Sequence, residues 1–228
     1  MADLVVALDL PDGASALRVA DRLAGTVGWF KVGAMLYAAE GPGVVRELTA
    51  RGARVFLDLK WHDIPSAVGG AVAASALLGV SLATVHLSGG RAMIEAAARA
   101  ASGRLSLVGV GVLTSMDAQD YAEVVGRPVD DIGAELERLA RLGMAAGLDG
   151  AVSSPREVAR LRAALGERAL LVVPGIRRAG EVAGDQVRTA TPAEAVAAGA
   201  DLLVVGRPVT GVADPRGAAL ALLEEMRR

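Results

Sequence analysis

The alternation of strand-like and helix-like segments is the feature that most constrains what this chain can fold into. Runs rich in Val, Leu and Ala recur eight times, and helical spacing of apolar residues follows each of them. Near-continuous apolar strands that alternate with helices are typical of a parallel sheet covered by helices. The eight runs are LVVALD (4–9), GWFKVG (28–33), ARVFLD (53–58), SLATVH (81–86), LSLVGVGVLTS (105–115), GAVSS (150–154), ALLVVPGI (169–176) and DLLVVGRP (201–208).

Eight strand and helix units in 228 residues predict a (β/α)8 TIM barrel, an α/β fold in which residues 1–228 form a single domain. An open doubly wound sheet is the competing fold. It would more often carry a GxGxxG fingerprint after its first strand, which LDLPDG does not match. The predicted helices lie around Leu17–Ala24 and Val44–Leu48, from Asp63, over 90–101, 117–125 and 129–146, after Pro155, and from Thr191 and Asp214.

Composition excludes several classes of protein. A net charge of -2 and 3% aromatic residues argue against nucleic-acid binding, and the absence of cysteine excludes disulfides and thiolate sites. The N-terminus lacks the basic start and apolar core of a signal peptide. Residues 64–90 carry no Asp, Glu, Lys or Arg, but their Ala, Gly and Ser content predicts a small-residue helix and a buried strand rather than a membrane span. We therefore expect a soluble, cytoplasmic protein.

The stretch VFLDLKWHDIP (55–65) places charged residues at the end of an apolar strand. Asp58 and Lys60 are two residues apart, so a strand would point both to one face, and Asp63 follows at the turn into a helix. Such charges are costly unless they pair or take part in chemistry. A purely structural interpretation is an ion pair that caps the strand, with Asp63 as a helix N-cap.

Lysine usage favours the chemical interpretation. Of 24 basic residues only Lys31 and Lys60 are lysines, and both lie at the ends of strand-like runs. A coding preference for Arg accounts for most of this imbalance at solvated surface positions. Lys can release a proton and Arg effectively cannot, so the two lysines indicate sites that need a deprotonatable ammonium group.

Further polar residues lie where strands end, which is the functional face of a barrel, and they are scarce at strand starts. Simpler interpretations exist for three of them: Asp9 as a cap of the first helix, His86 as a hydrogen-bonded support, and His62 as a loop residue. Two histidines without ligand-like spacing argue against a zinc site. The candidates at the strand ends are Asp9, Lys31, Asp58, Lys60, His86, Thr114, Ser115, Ser153 and Arg207.

The loops after the seventh and eighth strands often bind phosphate in barrels of this kind. Here Gly206 lets the backbone approach an anion, and Arg207 and Arg177 supply forked donors. The loop over about 175–190 is long and contains glycine, which predicts a mobile lid. Its candidate lid residues are Gly180, Gly184, Asp185, Gln186 and Arg188.

Taken together, DLK..D at the third strand, PGIR…DQ after the seventh and GRP after the eighth resemble the orotidine 5'-phosphate decarboxylase family in its bacterial short form, over essentially the whole chain. The resemblance implies a homodimeric (β/α)8 barrel without cofactor or metal. It also implies conversion of orotidine monophosphate to uridine monophosphate in pyrimidine synthesis.

The nearest enzyme alternatives share the D-x-K-x-x-D pattern but use magnesium. These are 3-keto-gulonate phosphate decarboxylases and hexulose phosphate synthases. A phosphate-binding barrel without catalysis is the non-enzyme alternative.

The same resemblance assigns roles to individual residues. Lys60 is implied as the proton donor to the ring carbon, within a charge array that also contains Lys31 and Asp58. Asp63 is implied to enter the site of the partner subunit. The implied substrate contacts are Asp9 with Lys31 at the ribose, Thr114 and Ser115 at the ribose and pyrimidine edge, Gln186 between phosphate and base, and Arg177, Gly206 and Arg207 at the phosphate and lid.

Overall fold

A computed structural model describes residues 2–178 and 189–227. Eight parallel strands close into a barrel in the order of the sequence, with β8 paired to β1. The closed sheet confirms the predicted TIM barrel and rules out the open doubly wound alternative. The strands are β1 (Asp3–Ala7), β2 (Trp29–Gly33), β3 (Arg54–Trp61), β4 (Leu82–His86), β5 (Ser106–Val110), β6 (Gly150–Val152), β7 (Leu170–Val173) and β8 (Leu202–Val205).

Helices surround this barrel, and their starts follow the capping chemistry of the sequence. Thr191, the predicted N-cap, begins α9 with a capping box, and Asp214, near which the last helix was predicted to start, caps α11. Two helices, α2 and α10, were not predicted from the sequence. The helices are α1 (Gly13–Arg22), α2 (Ala34–Glu40), α3 (Pro42–Ala50), α4 (Pro65–Leu77), α5 (Gly90–Ala101), α6 (Ala118–Val125), α7 (Ile132–Ala145), α8 (Val158–Leu165), α9 (Pro192–Ala197), α10 (Arg207–Thr210) and α11 (Pro215–Glu225).

The core has two main layers because successive strand residues face opposite sides of the sheet. Val5 and Ala7 of β1 fill the barrel interior together with Trp29 and Phe56. The alternate residues of β1, such as Val6, pack outward against the helices in a larger cluster. Apolar residues on both faces explain why the strands are near-continuous apolar runs.

The uncharged segment 64–90 forms α4 and β4, as its composition predicted. Val68 and Val72 are buried, while Ile64 and Leu77 are exposed. Within residues 2–178 and 189–227, every helix is too short or too polar to cross a bilayer.

Polar residues are not scarce at strand starts, so that expectation is wrong. Asp3 at the start of β1 accepts hydrogen bonds from Trp29 Nε1 at 3.1 Å and Arg54 Nη2 at 3.0 Å. Asp149 and Asp201, just before β6 and β8, each accept one at 2.7 Å from the amide of the second residue of a neighbouring strand, Leu107 of β5 and Leu171 of β7. At the N-terminal end of the barrel, Asp149 and Asp201 thus satisfy backbone donors, whereas Asp3 pairs with side chains.

Candidate active site

A cavity of about 440 Å³ opens at the C-terminal ends of the strands. Apolar side chains from several strands, among them Phe56, Val110 and Val172, form part of its wall. Eight of the predicted site residues also line it, so the fold brings together side chains from distant parts of the sequence. These eight are Asp9, Lys31, Asp58, Lys60, Thr114, Arg177, Gly206 and Arg207.

Four of these side chains form a row of alternating charge. Lys31 Nζ lies 3.0 Å from Asp9 Oδ1 and 3.7 Å from Asp58 Oδ2. Lys60 Nζ lies 2.9 Å from each oxygen of Asp58. Asp58 and Lys31 are largely buried, whereas the Lys60 side chain is 38% exposed toward the cavity mouth. Because Asp58 contacts both ammonium groups, it holds them close together where mutual repulsion would otherwise separate them.

The Asp9 end of this row depends on a glycine that sequence reasoning missed. A Cβ atom on Gly33 would lie 2.9 Å from Asp9 Oδ1 and 3.0 Å from Lys31 Nζ. A side chain there would displace the ion pair, so the absence of one at the end of β2 makes room for it. The interpretation of Asp9 as a helix cap is wrong, because Asp12 caps α1 by accepting from the Ser15 amide at 2.7 Å.

Lys60 does not continue β3 as a regular strand. The sequence prediction assumed regular strand geometry from Asp58 to Lys60, and that assumption is wrong. Its φ of +50° lies in the left-handed region, and the pairing of β3 with β4 shifts between Leu57 and Trp61. The Lys60 amide donates to the side chain of Thr84 on β4 at 2.8 Å. Thr84 was also missed; its sequence signal is one polar residue inside the apolar run SLATVH.

Among the described residues to which the resemblance assigned roles, Asp63 and Ser115 do not line the cavity. Asp63 is exposed and accepts from the next amide, that of Ile64, at 2.6 Å. Its interpretation as a helix N-cap is wrong, since Ile64 occupies that position without a side-chain cap. Ser115 is exposed and does not line the cavity. Gln186 and the other candidate lid residues (Gly180, Gly184, Asp185 and Arg188) lie outside the described residues.

Comparison with known proteins identifies the family to which this barrel belongs. The family model described as orotidine 5'-phosphate decarboxylase / HUMPS matches residues 2–222. The chain belongs to this family.

Individual relatives cover nearly the whole chain. An orotidine 5'-phosphate decarboxylase from Anaeromyxobacter sp. (strain K) is 50% identical over 221 residues, 96% of each chain. One from Moorella thermoacetica is 45% identical, over 98% of this chain and 91% of its own. The crystal structure of orotidine 5'-phosphate decarboxylase from Lactobacillus acidophilus superposes with a TM-score of 0.89 at 32% identity, covering 100% of both chains.

In this member of the orotidine 5'-phosphate decarboxylase / HUMPS family, both histidines lie beside the charged row. The rings of His62 and His86 stack with centroids 5.1 Å apart, and Ser88 Oγ is 2.6 Å from His86 Nδ1. Burial lowers the pKa of His86, and the nearby His62 and Lys60 lower it further. His86 is therefore a hydrogen-bonded neighbour of Lys60 whose neutral form is favoured by burial. Across the described residues, no group of three or more His, Asp or Glu side chains is placed to hold a metal ion.

Proposed function

We propose that this protein decarboxylates orotidine 5'-monophosphate to uridine 5'-monophosphate, the reaction for which its relatives are named. The observation that carries the proposal is the row formed by Asp9, Lys31, Asp58 and Lys60 inside the barrel cavity. Burying paired charges adds little net stability, so this row is better explained by chemistry. An ammonium group beside a carbon that becomes negative can stabilise that charge as carbon dioxide leaves.

Different residues of the cavity suit the phosphate, the ribose and the base of the nucleotide. Arg177 and Arg207 line it and present the forked donors that fit a phosphate group, next to Gly206. We assign the Asp9 carboxylate and the Lys31 ammonium to the ribose hydroxyls. We assign Thr114 and Ser115 to the ribose and pyrimidine edge and Gln186 to a bridge between phosphate and base. Phosphate contacts remote from the reacting carbon can then contribute binding energy to lid closure.

The reaction breaks the bond between the ring carbon and the substrate carboxylate. Both bonding electrons stay on the ring carbon, and neutral carbon dioxide departs. The Lys60 ammonium stabilises the developing negative charge and donates a proton to that carbon, which leaves a neutral amine to be reprotonated from solvent. Asp58 lies 2.9 Å from Lys60 Nζ and orients it. The substrate carboxylate meets the like charge of Asp58, and its loss as carbon dioxide removes that repulsion.

We further propose that the protein acts as a homodimer in which Asp63 completes the partner's site. Two observations support this arrangement. Asp63 makes no contact with the charged row of its own chain, and it precedes α4, whose exposed side carries no charge. Ile64 and Leu77, at the two ends of α4, are 65% and 79% exposed, which leaves apolar surface for a second subunit.

The dimer proposal has a direct test in mixed subunits. Lys60→Ala and Asp63→Ala are each expected to lose turnover. When the two inactive variants are mixed and allowed to exchange subunits, each hybrid dimer gains one site with both Lys60 and Asp63 intact, so activity returns. If Asp63 served its own chain, both sites of the hybrid would remain defective and no activity would return.

The activity itself is tested by following orotidine monophosphate spectrophotometrically, with and without a metal chelator. Production of uridine monophosphate that persists with chelator supports the proposal. Turnover abolished by chelator would overturn it in favour of the magnesium-dependent chemistry of 3-keto-gulonate phosphate decarboxylases and hexulose phosphate synthases. Tight binding of uridine monophosphate without turnover would instead indicate a binding barrel.

A further inference from the structure

Thr84 is a completely buried polar residue in the middle of β4. Its hydroxyl has two partners, both in the charged segment of β3. The hydroxyl oxygen accepts the backbone N–H of Lys60 at 2.8 Å, and the hydroxyl hydrogen is donated to Asp58 Oδ1 at 3.0 Å. One side chain on a neighbouring strand therefore contacts both the backbone of Lys60 and the carboxylate that Lys60 Nζ contacts.

The backbone of Lys60 needs this partner because of the bulge in β3. Leu57 pairs with Ala83 and Trp61 pairs with Val85, so three residues of β3 face the single residue Thr84. The Lys60 amide has consequently lost its place in the backbone ladder. A bulge of this kind leaves an inserted residue without a ladder partner and redirects its side chain.

Lys60 is also held in a conformation that a non-glycine residue seldom adopts. Within the described residues, Ser102 is the other non-glycine residue with positive φ, and it occupies the exposed C-cap of α5, where this conformation is ordinary. Lys60 lies inside a strand, where positive φ is strained and persists only if surrounding contacts enforce it. The hydrogen bond to Thr84 is one such contact.

We infer that Thr84 is the positioning residue for the proton donor. The hydroxyl fixes the left-handed turn at Lys60 and the orientation of Asp58, and together these set where Lys60 Nζ lies. The inference rests on the proposed function of Lys60. It concerns the placement of the ammonium group rather than substrate affinity, because Thr84 does not line the cavity.

Thr84→Val tests this inference because it replaces the hydroxyl with a methyl group of similar size. Misplacement of a catalytic group by about 1 Å costs about 100-fold, so we expect kcat to fall by about that factor with KM for orotidine monophosphate changed less than about threefold. Thr84→Ser retains the hydroxyl and is expected to keep kcat within about threefold of the parent. Thr49→Val makes the same exchange on α3, outside the site, and is expected to leave kcat unchanged.

Each outcome separates the inference from the proposed function. If the parent protein does not convert orotidine monophosphate, the proposed function fails, while a crystal structure of Thr84→Val still reports whether Lys60 leaves the left-handed region. If the parent is active and Thr84→Val retains its kcat, or Thr84→Ser loses as much as Thr84→Val, the positioning role is wrong. If Thr84→Val does not fold, Thr84→Cys replaces it, since its thiol is a weak donor and acceptor, and parental kcat in that variant would overturn the inference.

Discussion

Strand β3 carries a basic residue near each end, and the two have opposite surroundings. Arg54 begins the strand at the N-terminal end of the barrel, where it contacts Asp3 at 3.0 Å and stacks over Trp29. Lys60 lies near its end at the cavity, where it contacts Asp58 at 2.9 Å. Both ion pairs have similar lengths, but only the second faces a cavity lined by further charges and donors.

The difference between these two barrel ends extends beyond β3. At the N-terminal end, the carboxylates of Asp3, Asp149 and Asp201 are satisfied by Arg, Trp or backbone donors, which do not release protons at ordinary pH. At the cavity end, Asp58 is satisfied by two lysines. Arginine pairing suits permanent structure, whereas a lysine can both pair and donate a proton. The two ends are therefore expected to respond differently to mutation.

The largest expected effect comes from Lys60→Ala. We expect kcat to fall by at least about 10⁴-fold, the upper range for losing a general acid, while the fold is retained. Arg54→Ala on the same strand is the matched control, with kcat per folded molecule unchanged. Steady-state assays and thermal unfolding of both variants check this. Substantial turnover by Lys60→Ala would remove Lys60 from the role of proton donor.

Adjacent arginines in the loop after β7 provide the next comparison. Arg177 lines the cavity, whereas Arg178 contacts Glu225 of α11 at 2.7 Å. Losing a charged hydrogen bond to phosphate costs about 1.5–3 kcal/mol of binding free energy. Arg177→Ala is therefore expected to raise KM about 10- to 100-fold. Arg178→Ala is expected to change KM less than about threefold. Equal effects in the two variants would contradict the assignment of phosphate to Arg177.

At the N-terminal end, Arg162→Leu should reduce stability rather than activity. Arg162 is largely buried, and it contacts Asp201 at 2.6 Å and donates to the carbonyls of Gly166, Ala169 and Gly199. Leaving these groups without a donor should lower the free energy of unfolding by about 2–3 kcal/mol, with kcat unchanged.

Urea unfolding and activity assays of Arg162→Leu test that expectation, and α8 supplies a matched control. Arg160 is more exposed and pairs with Asp131 and Glu137 on the surface. Arg160→Leu is therefore expected to cost less than about 1 kcal/mol. A loss of catalytic activity in folded Arg162→Leu would break the distinction between the two ends of the barrel.

Glu135 tests whether the partner residue or the end of the barrel makes the difference. It is a carboxylate paired with arginines, like those at the N-terminal end, but it lies in the first turn of α7, on the cavity side of the barrel. Hydrogen bonds from Arg138 and then Arg127 lower the pKa of this buried carboxyl from 4.5 to about 2, against the opposing effect of burial. A lowered native pKa stabilises the fold above pH 4.5, and that contribution is lost as the pH falls from 4.5 toward 2.

We therefore expect Glu135→Gln to lower the free energy of unfolding by about 1–2 kcal/mol at neutral pH, since both arginines are half exposed and screened by solvent. The difference from the parent should shrink at about pH 3, and kcat should not change. Urea unfolding at the two pH values measures this. If the difference in free energy of unfolding between Glu135→Gln and the parent stays constant with pH, then lost packing, rather than lost charge, causes the destabilisation.

The sequence supported accurate predictions wherever a local pattern carries the information. The apolar runs predicted all eight strands, and Thr191 and Asp214 predicted two helix starts. It failed where the outcome depends on contacts between distant residues. The partners of Asp3, for example, come from β2 and β3. One local prediction also failed, since Ile64 rather than Asp63 takes the capping position before α4.

The sequence by itself determined the barrel and the identity of the charged residues at its mouth, because strand periodicity and residue chemistry are local properties. Only the tertiary structure decided that Asp58 lies between two lysines, that Gly33 leaves space for the Asp9 and Lys31 pair, and that Thr84 holds the strained backbone of Lys60. The physical reason is that barrel closure sets which strands are neighbours, and a bulge changes where side chains point without leaving a periodic signal in the sequence.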